Sequence, residues 1–499
     1  MTKDVSMRRA VAHSSISICM LLVAVHLFGC AGPSAPPNAN DSVQSAPNDN
    51  SNPANGNTDT ADTIDAGEAN PLLDPLSMPG EATLAMENFR SASQCAACHP
   101  NHYNEWRTSM HSYAMIDPVF RALVEARQRD FDGERDRFCT QCHSAIGTRG
   151  GDIVEHFSFD ELEPITLEGI TCESCHKVTG IVRPYNSGHV LDGNAAMHGP
   201  IQDPVENAFH ESKYSPLHDT SEFCAGCHDV VEQSGLNLER PYEEWVTSPA
   251  GEAGRNCQSC HMPTYSGTAV DPAIAEALGA SERDNLHRHW FSGVDLPLTD
   301  DFLAEDQLEE ARARVVELLE SAGEIEMTAA PTVVAGSQID VFVTVRNLID
   351  AHNLPTGSTF NRQLWISVTA TDAEGTAIYQ TGDLDANGDL RNHFSELDPY
   401  GDADLITFNS GFIDADGNPT VYPWKAAEHI SNSLAPLYEV THTFFVPTSP
   451  ETVGPVTIET RLRFRAFPPF LLRTLGLPQY IDKLDITDID EATITVEVE

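Results

Sequence analysis

The sequence predicts a multidomain chain in which a mainly α-helical, loop-rich first half is followed by an all-β sandwich. Three observations carry this reading. Ten of the twelve cysteines lie between residues 95 and 260 in five identical Cys-x-x-Cys-His units, and no cysteine follows them. Residues 301–322, DFLAEDQLEEARARVVELLESA, hold the clearest helical periodicity in the chain. From about residue 325 the pattern changes to short alternating runs rich in β-branched residues, separated by turn residues. At 499 residues there is length for two or three domains, each able to bury a core.

The chain opens with Arg8 and Arg9 ahead of an apolar run over residues 16–28, too short and wrongly flanked for a stable membrane span. It ends in Leu27-Phe28-Gly29-Cys30, which is similar to the lipobox of bacterial lipoproteins, although Phe28 is bulkier than the small residue usual there. Residues 1–30 are therefore expected to be a lipoprotein signal peptide, with Cys30 as the lipidated first residue of the mature chain. An ordinary secretory signal is the alternative. Ala31 stands where an aspartate is often linked to inner-membrane retention, so the expected location is the outer membrane, on its periplasmic or cell-surface side. Residues 31–85, dominated by Pro, Asn, Ser, Asp and Ala, cannot bury enough apolar surface to fold and read as a disordered linker. A flexible coil of that length reaches roughly 40 Å.

Residues 86–300 hold the five units: Cys95/Cys98/His99, Cys139/Cys142/His143, Cys172/Cys175/His176, Cys224/Cys227/His228 and Cys257/Cys260/His261. Two thiols at this spacing can add to the two vinyl groups of one haem, and the histidine directly after the second thiol then lies beneath the iron as its axial ligand. Zinc ribbons, redox pairs and disulfides are the other uses of paired cysteines. Zinc does not demand a histidine at that place, a redox motif would not recur five times, and no thiol of the mature body is left over for a disulfide. The region is read as a multihaem cytochrome domain with five covalently bound haem c groups. Gly, Pro and Asn interrupt almost every apolar run, as in RPYNSGHVLDGNAAMHGPIQDP, so short helices around each motif and loops between them are expected. Residues 301–324 follow as a connecting helix, with Leu303, Leu308, Ala311, Val315, Leu318 and Leu319 at helical spacing and Gly323 beyond the end. In residues 325–499, QIDVFVTVRN, QLWISVTATD, TAIYQTG, YEVTHTFFVP and VTIETRLRFRAF are strand-like and spaced as in a β-sandwich.

Longer stretches match a known family. CAACHPNHYNEWRTSMHSYAM resembles the opening of cytochromes related to hydroxylamine oxidoreductase and the tetrahaem cytochrome of nitrifying bacteria, where a Cys-x-x-Cys-His is followed by a tryptophan and then SxHxxA. SEFCAGCH and CQSCHMP are similar to that family's later haem sites. AHNLPTGSTFNRQLWISVTATDAEG resembles the β-rich module attached to some members, so the resemblance covers nearly all of residues 90–499. It implies closely packed haem pairs, bis-histidine ligation at most irons, and electron transfer as the commonest role. The family also includes enzymes that oxidise or reduce small nitrogen or sulfur compounds.

A haem that only passes electrons wants both axial positions filled. Of twenty histidines, five close the motifs and His13 and His26 lie in the leader, leaving thirteen for five distal positions. His111 falls on the SMHSYA motif of the resemblance, and His352, in AHNLPTG, resembles a haem ligand of the matched module. His210 and His218 both precede the fourth motif, and at least one is expected to ligate. His189 and His198 flank a Gly-rich loop and stay ambiguous. His287 and His289 alternate, so one can bind iron while the other hydrogen-bonds nearby. His393, His429 and His442 read as structural or surface histidines.

Asp383, Asp385, Asn387 and Asp389 alternate around Gly388 like the start of a calcium loop, but Phe394 stands where the bidentate Glu would be, and an acidic turn is the preferred reading. The formal charge of −46 argues against nucleic acid and favours basic partners. The leading expectation is an exported electron-transfer protein working between redox donor and acceptor proteins, membrane-bound through a lipid anchor. Self-assembly into a cell-surface filament is its sharper form. The alternative is an oxidoreductase with one open haem. All five motifs end in histidine and the remaining histidines outnumber the distal positions, so no substantial turnover of nitrite, hydroxylamine or tetrathionate is expected.

Overall fold

The motif helices are short because their task is short: one turn brings thiols at i and i+3 to one side of the backbone. In the computed structural model, which describes residues 82–499, the helices Arg137–His143, Cys172–His176, Ser221–His228 and Gln258–His261 all finish on their motif histidine. The first motif instead forms the turn into helix Pro100–Arg107, with His99 just before it and proline at its first position. The longest helix of this half, Pro118–Phe131, starts on an Asp117 carboxylate that accepts from the Val119 amide at 3.0 Å. The leader with Cys30 and nearly all of the 31–85 linker lie outside the described residues.

Between the motif helices run small two-stranded pairs: Val178–Ile181 with His189–Leu191, Ala196–Gly199 with Glu211–Tyr214, and Thr264–Gly267 with Arg283–His287. They place His189, His198 and His287 on extended backbone, where side-chain direction is fixed by the pleat.

Helix Glu305–Glu320 forms inside the predicted segment. Its Ala311 packs with Tyr113, Phe302 and Leu303, whereas Leu319 enters the core of the β-rich part. One helix thus serves two cores.

The β-rich part contains strands β1 (Gly323–Ala329), β2 (Gln338–Asn347), β3 (Gln363–Thr371), β4 (Ala377–Thr381), β5 (Glu439–Pro447), β6 (Val456–Arg465) and β7 (Thr487–Val498). One antiparallel sheet runs β5-β2-β1 and a second runs β7-β6-β3-β4. Alternation explains how they meet. Val341, Val343 and Val345 of β2 share a single apolar cluster with Leu364, Ile366 and Val368 of β3 and Ile458 and Leu462 of β6. Each such side chain contributes about 1.5–3 kcal/mol on full burial.

The two halves are in direct contact. Val119 and Leu298 pack with Phe467, Leu471 and Leu472, and Arg362 makes a two-pronged ion pair with Asp295, both contacts at 2.6 Å. A third sheet, centred on Ser410–Asp414, brings Phe412 against Leu238. Among the described residues no helix is long and apolar enough to cross a membrane.

Candidate functional site

One cavity of about 1870 Å³ is lined by all ten motif cysteines and all five motif histidines. None of the ten thiols is in a disulfide. Thiols of different motifs touch instead: Cys95 meets Cys172, Cys142 meets Cys227, and Cys224 meets Cys257. The first motif is therefore beside the third, the second beside the fourth, and the fourth beside the fifth. Burial pushes the Cys175 thiol up to about 12 and keeps it neutral, whereas the hydrogen bond with Cys224 lowers Cys257 to about 7 and that with Cys172 lowers Cys95.

The imidazoles are arranged in pairs. His111 and His228 have ring centroids 6.1 Å apart, His99 and His210 6.3 Å, His176 and His289 6.3 Å, and His261 and His352 6.3 Å. Two bonds of about 2 Å each, the length imidazole makes to zinc, plus the radius of each ring, account for such a spacing around one metal atom. Burial holds His111 near 3 and His228 and His352 near 4, so all three are neutral, the form that binds a metal.

Hydrogen bonds to the other ring nitrogen separate the rival histidines, because a ligating imidazole gives its second N–H to a fixed acceptor and keeps the first nitrogen free. His99, His176 and His261 place Nδ1 on the carbonyls of Ala269, His198 and Ser292 at 2.6–2.7 Å. His289 and His352 do the same on the carbonyls of His287 and Asn353. His218 also lies 5.8 Å from His176, but its Nε2 is spent on the Cys175 carbonyl. His189 has Nε2 on the Phe223 carbonyl and Nδ1 against the Cys227 sulfur. His287 also places Nδ1 on a carbonyl, that of Met262 at 2.7 Å, and differs from His289 in that it, like His198, lines the cavity without a facing imidazole among the described residues.

At the second motif no imidazole faces the motif histidine among the described residues. The ring neighbour of His143 among the described residues is Phe120, stacked at 3.9 Å and 7°. The other four motif histidines each face an imidazole.

Sequence reasoning missed three supports. His102 lies between His99 and His289, with its Nε2 on the Tyr265 hydroxyl at 3.0 Å. Glu105, buried in helix Pro100–Arg107, takes Arg288 at 2.6 Å and the His289 amide at 2.8 Å, fixing the segment that carries His289. Together with His289, these two form the described cluster of potential metal ligands. Glu244 accepts from the Asn353 amide, the Asn353 side chain and Thr356 at 3.1, 2.8 and 2.5 Å, and so holds the loop of His352. A charged residue inside a short polar helix gives no sequence signal of such a task.

The 383–389 segment is an acidic turn. Asp385 accepts from the amides of Asn387 and Asp389, Asp383 pairs with Arg391, and Asp389 pairs with Arg473. Its carboxylates are already matched to donors, so calcium is not supported. His429 bridges the halves through the Asn237 carbonyl and Ser410.

Residues 94–177 match the family model described as cytochrome c554 and c-prime. No curated relative matches the chain. Among solved structures, a penta-haem cytochrome c552 from Thermochromatium tepidum is similar in fold, with a TM-score of 0.55 at 20% identity, covering 82% of this chain and 99% of that one. The CARDB domain of a Pyrococcus furiosus protein, described with two metal ions, covers 36% of this chain and 87% of its own, at 13% identity and a TM-score of 0.16.

Proposed function

We propose that this chain, a multihaem c-type cytochrome, carries five haems and passes electrons between redox proteins. When bound, the haems supply one-electron transfer. The protein's part is to hold them: ten cysteines for covalent attachment, and His99, His143, His176, His228 and His261 as proximal ligands. The distal set proposed is His210 for the first motif, His289 for the third, His111 for the fourth and His352 for the fifth. Four imidazole pairs at 6.1–6.3 Å carry this reading; a fifth pair in that range, His99 with His102 at 6.2 Å, is set aside because the His102 Nε2 is engaged by the Tyr265 hydroxyl. The thiol contacts support an order of first beside third and second beside fourth, with the fifth reached through the fourth. The layout proposed is a cytochrome domain over 86–300 and a β-sandwich domain over 325–499, joined by the 301–324 helix. The leader supports export, and Cys30 an outer-membrane lipid anchor. Intact mass of the mature protein should exceed the polypeptide by five haem masses, and electron paramagnetic resonance should show four low-spin centres. Fewer than five haems in matured material, or a spectrum without low-spin pairs, overturns the reading.

A second reading is favoured by one observation, the absence among the described residues of an imidazole opposite His143. The second haem would then keep an open face for a small ligand, as an oxidoreductase of nitrogen or sulfur compounds requires. Carbon monoxide should bind the reduced protein at one haem per chain. No binding would close that reading.

A further inference from the structure

We infer that the fifth motif is where this chain meets its redox partner, through a surface that fits a small basic protein; this rests on the electron-transfer reading above. Cys260 is the one exposed thiol among the ten motif cysteines, and residues 252–255 just ahead of the motif are exposed as well. The other four motifs keep both thiols at least partly covered.

Exposed apolar side chains gather on the segments that converge there. Leu348 is 45% exposed, Leu437 56% and Tyr438 59%. Backbone bonds tie these residues together: the Leu437 amide donates to the Ile349 carbonyl at 3.1 Å, and the Asn347 amide to that of Tyr438 at 2.9 Å. From Leu348 the chain reaches Asp350, whose carboxylate pairs with Arg255 and whose carbonyl accepts from the Ala250 amide. Two residues later it presents His352 to His261. Val246, 49% exposed, belongs to the same neighbourhood, because the adjoining Trp245 donates its indole N–H to the Arg255 carbonyl at 2.7 Å. Single exposed apolar residues need no explanation, but a group of them around the one motif open to solvent marks a contact surface.

Charge selects the occupant. The nearby cations are already matched, Arg255 by Asp350 and Arg346 by Glu324, Glu326 and Glu439. Glu252 stands exposed beside them. With a net charge of −46 the patch sits in a negative field, which steers a basic protein towards it and repels a second copy of the same chain.

The test uses the full haem-loaded chain and, as probe, a small basic monohaem cytochrome c. Binding is measured by calorimetry with both proteins oxidised, and electron transfer by stopped flow. The combined variant Leu348→Ser, Leu437→Ser, Tyr438→Ser should weaken binding at least tenfold and slow transfer to a similar degree. Its haem count and its reduction by a small inorganic reductant should not change. The control variant Phe342→Ser, Phe445→Ser, which alters exposed apolar residues of β2 and β5, should bind like the parent. Equal binding by the first variant, or equal losses in both, overturns the assignment. The wider reading fails separately, and this assignment with it, if the parent chain is reduced by the small reductant yet transfers nothing to the probe. Self-association of the parent chain at the probe's working concentration, abolished by the first variant, would replace the basic protein with a second copy and overturn the choice of partner.

Discussion

His143 differs from the other four motif histidines in having a phenyl ring, Phe120, as its ring neighbour. On the ligation proposed, carbon monoxide binds one haem in the parent, and each lost distal histidine adds one. His111→Ala and His289→Ala should each raise the stoichiometry from one to two, whereas His287→Ala should leave it at one. A value of two for His287→Ala would exchange the roles of the neighbours. The motif residues themselves were legible, since their spacing is set by covalent chemistry. The distal partners were only half so. On the ligation proposed, His111 and His352 stood on recognisable segments, but His287 and His289, or His210 and His218, cannot be ranked from sequence, because the choice lies in which ring faces a motif histidine and, for His218, in the Cys175 carbonyl that occupies its Nε2. A separate consequence attaches to Asp117, whose carboxyl burial raises from 3.8 to about 6. The folded chain then binds that proton more tightly than the unfolded one, so its contribution to stability is full below about pH 4 and is lost as pH rises through about 6. Asp117→Asn keeps a capping oxygen and should flatten the stability profile across that window, in urea titrations at several pH values. An unchanged slope would show that Asp117 does not carry it.

The loop from Leu348 to Thr356 is an element without regular structure, yet it is closely specified. Glu244 supplies three of its hydrogen bonds, and burial pushes this carboxyl upward. Removing the acceptor in Glu244→Ala leaves buried donors unmatched, at about 1–3 kcal/mol each, and should open the fifth haem to carbon monoxide. Glu244→Gln, which retains one acceptor oxygen, should recover part of both effects. The strands were far more legible than this loop. A period of two with β-branched residues, as in QIDVFVTVRN, is by itself enough to put Val341, Val343 and Val345 on one face. Truncating a residue such as Leu462, fully buried between the sheets, should cost about 2–5 kcal/mol in denaturant unfolding. The two-stranded pairs of the first half escaped the sequence because strands of two to five residues are too short for a period to register; their place is set by what lines the cavity.

Across the whole molecule, 75 acidic residues face 29 basic ones. Many of the basic ones are already engaged, as Arg346 is with three carboxylates, so the excess is unbalanced and self-repelling. Salt shortens the reach of that repulsion to about 8 Å at physiological strength. The melting temperature should therefore rise as salt is added from near zero to that strength. A fall would mean that ion pairs across the surface, not repulsion, dominate. The sequence showed two halves and a helix between them. It did not show that the helix belongs to both, because Ala311 and Leu319 look alike in a periodic pattern while packing into different cores.

His261 and His352 stand 91 positions apart, one on a motif helix and the other on a loop hung from β2. Chains fold from the N-terminus as they are made, and thiol attachment needs only the short motif, so haems could be joined to all five motifs of a chain whose C-terminal half is still without structure. On the ligation proposed, the sixth bond of a haem at the fifth motif could not form at that stage. Its change from high spin to low spin would then be a clock for biogenesis, marking the moment when the last-made part of the chain has docked.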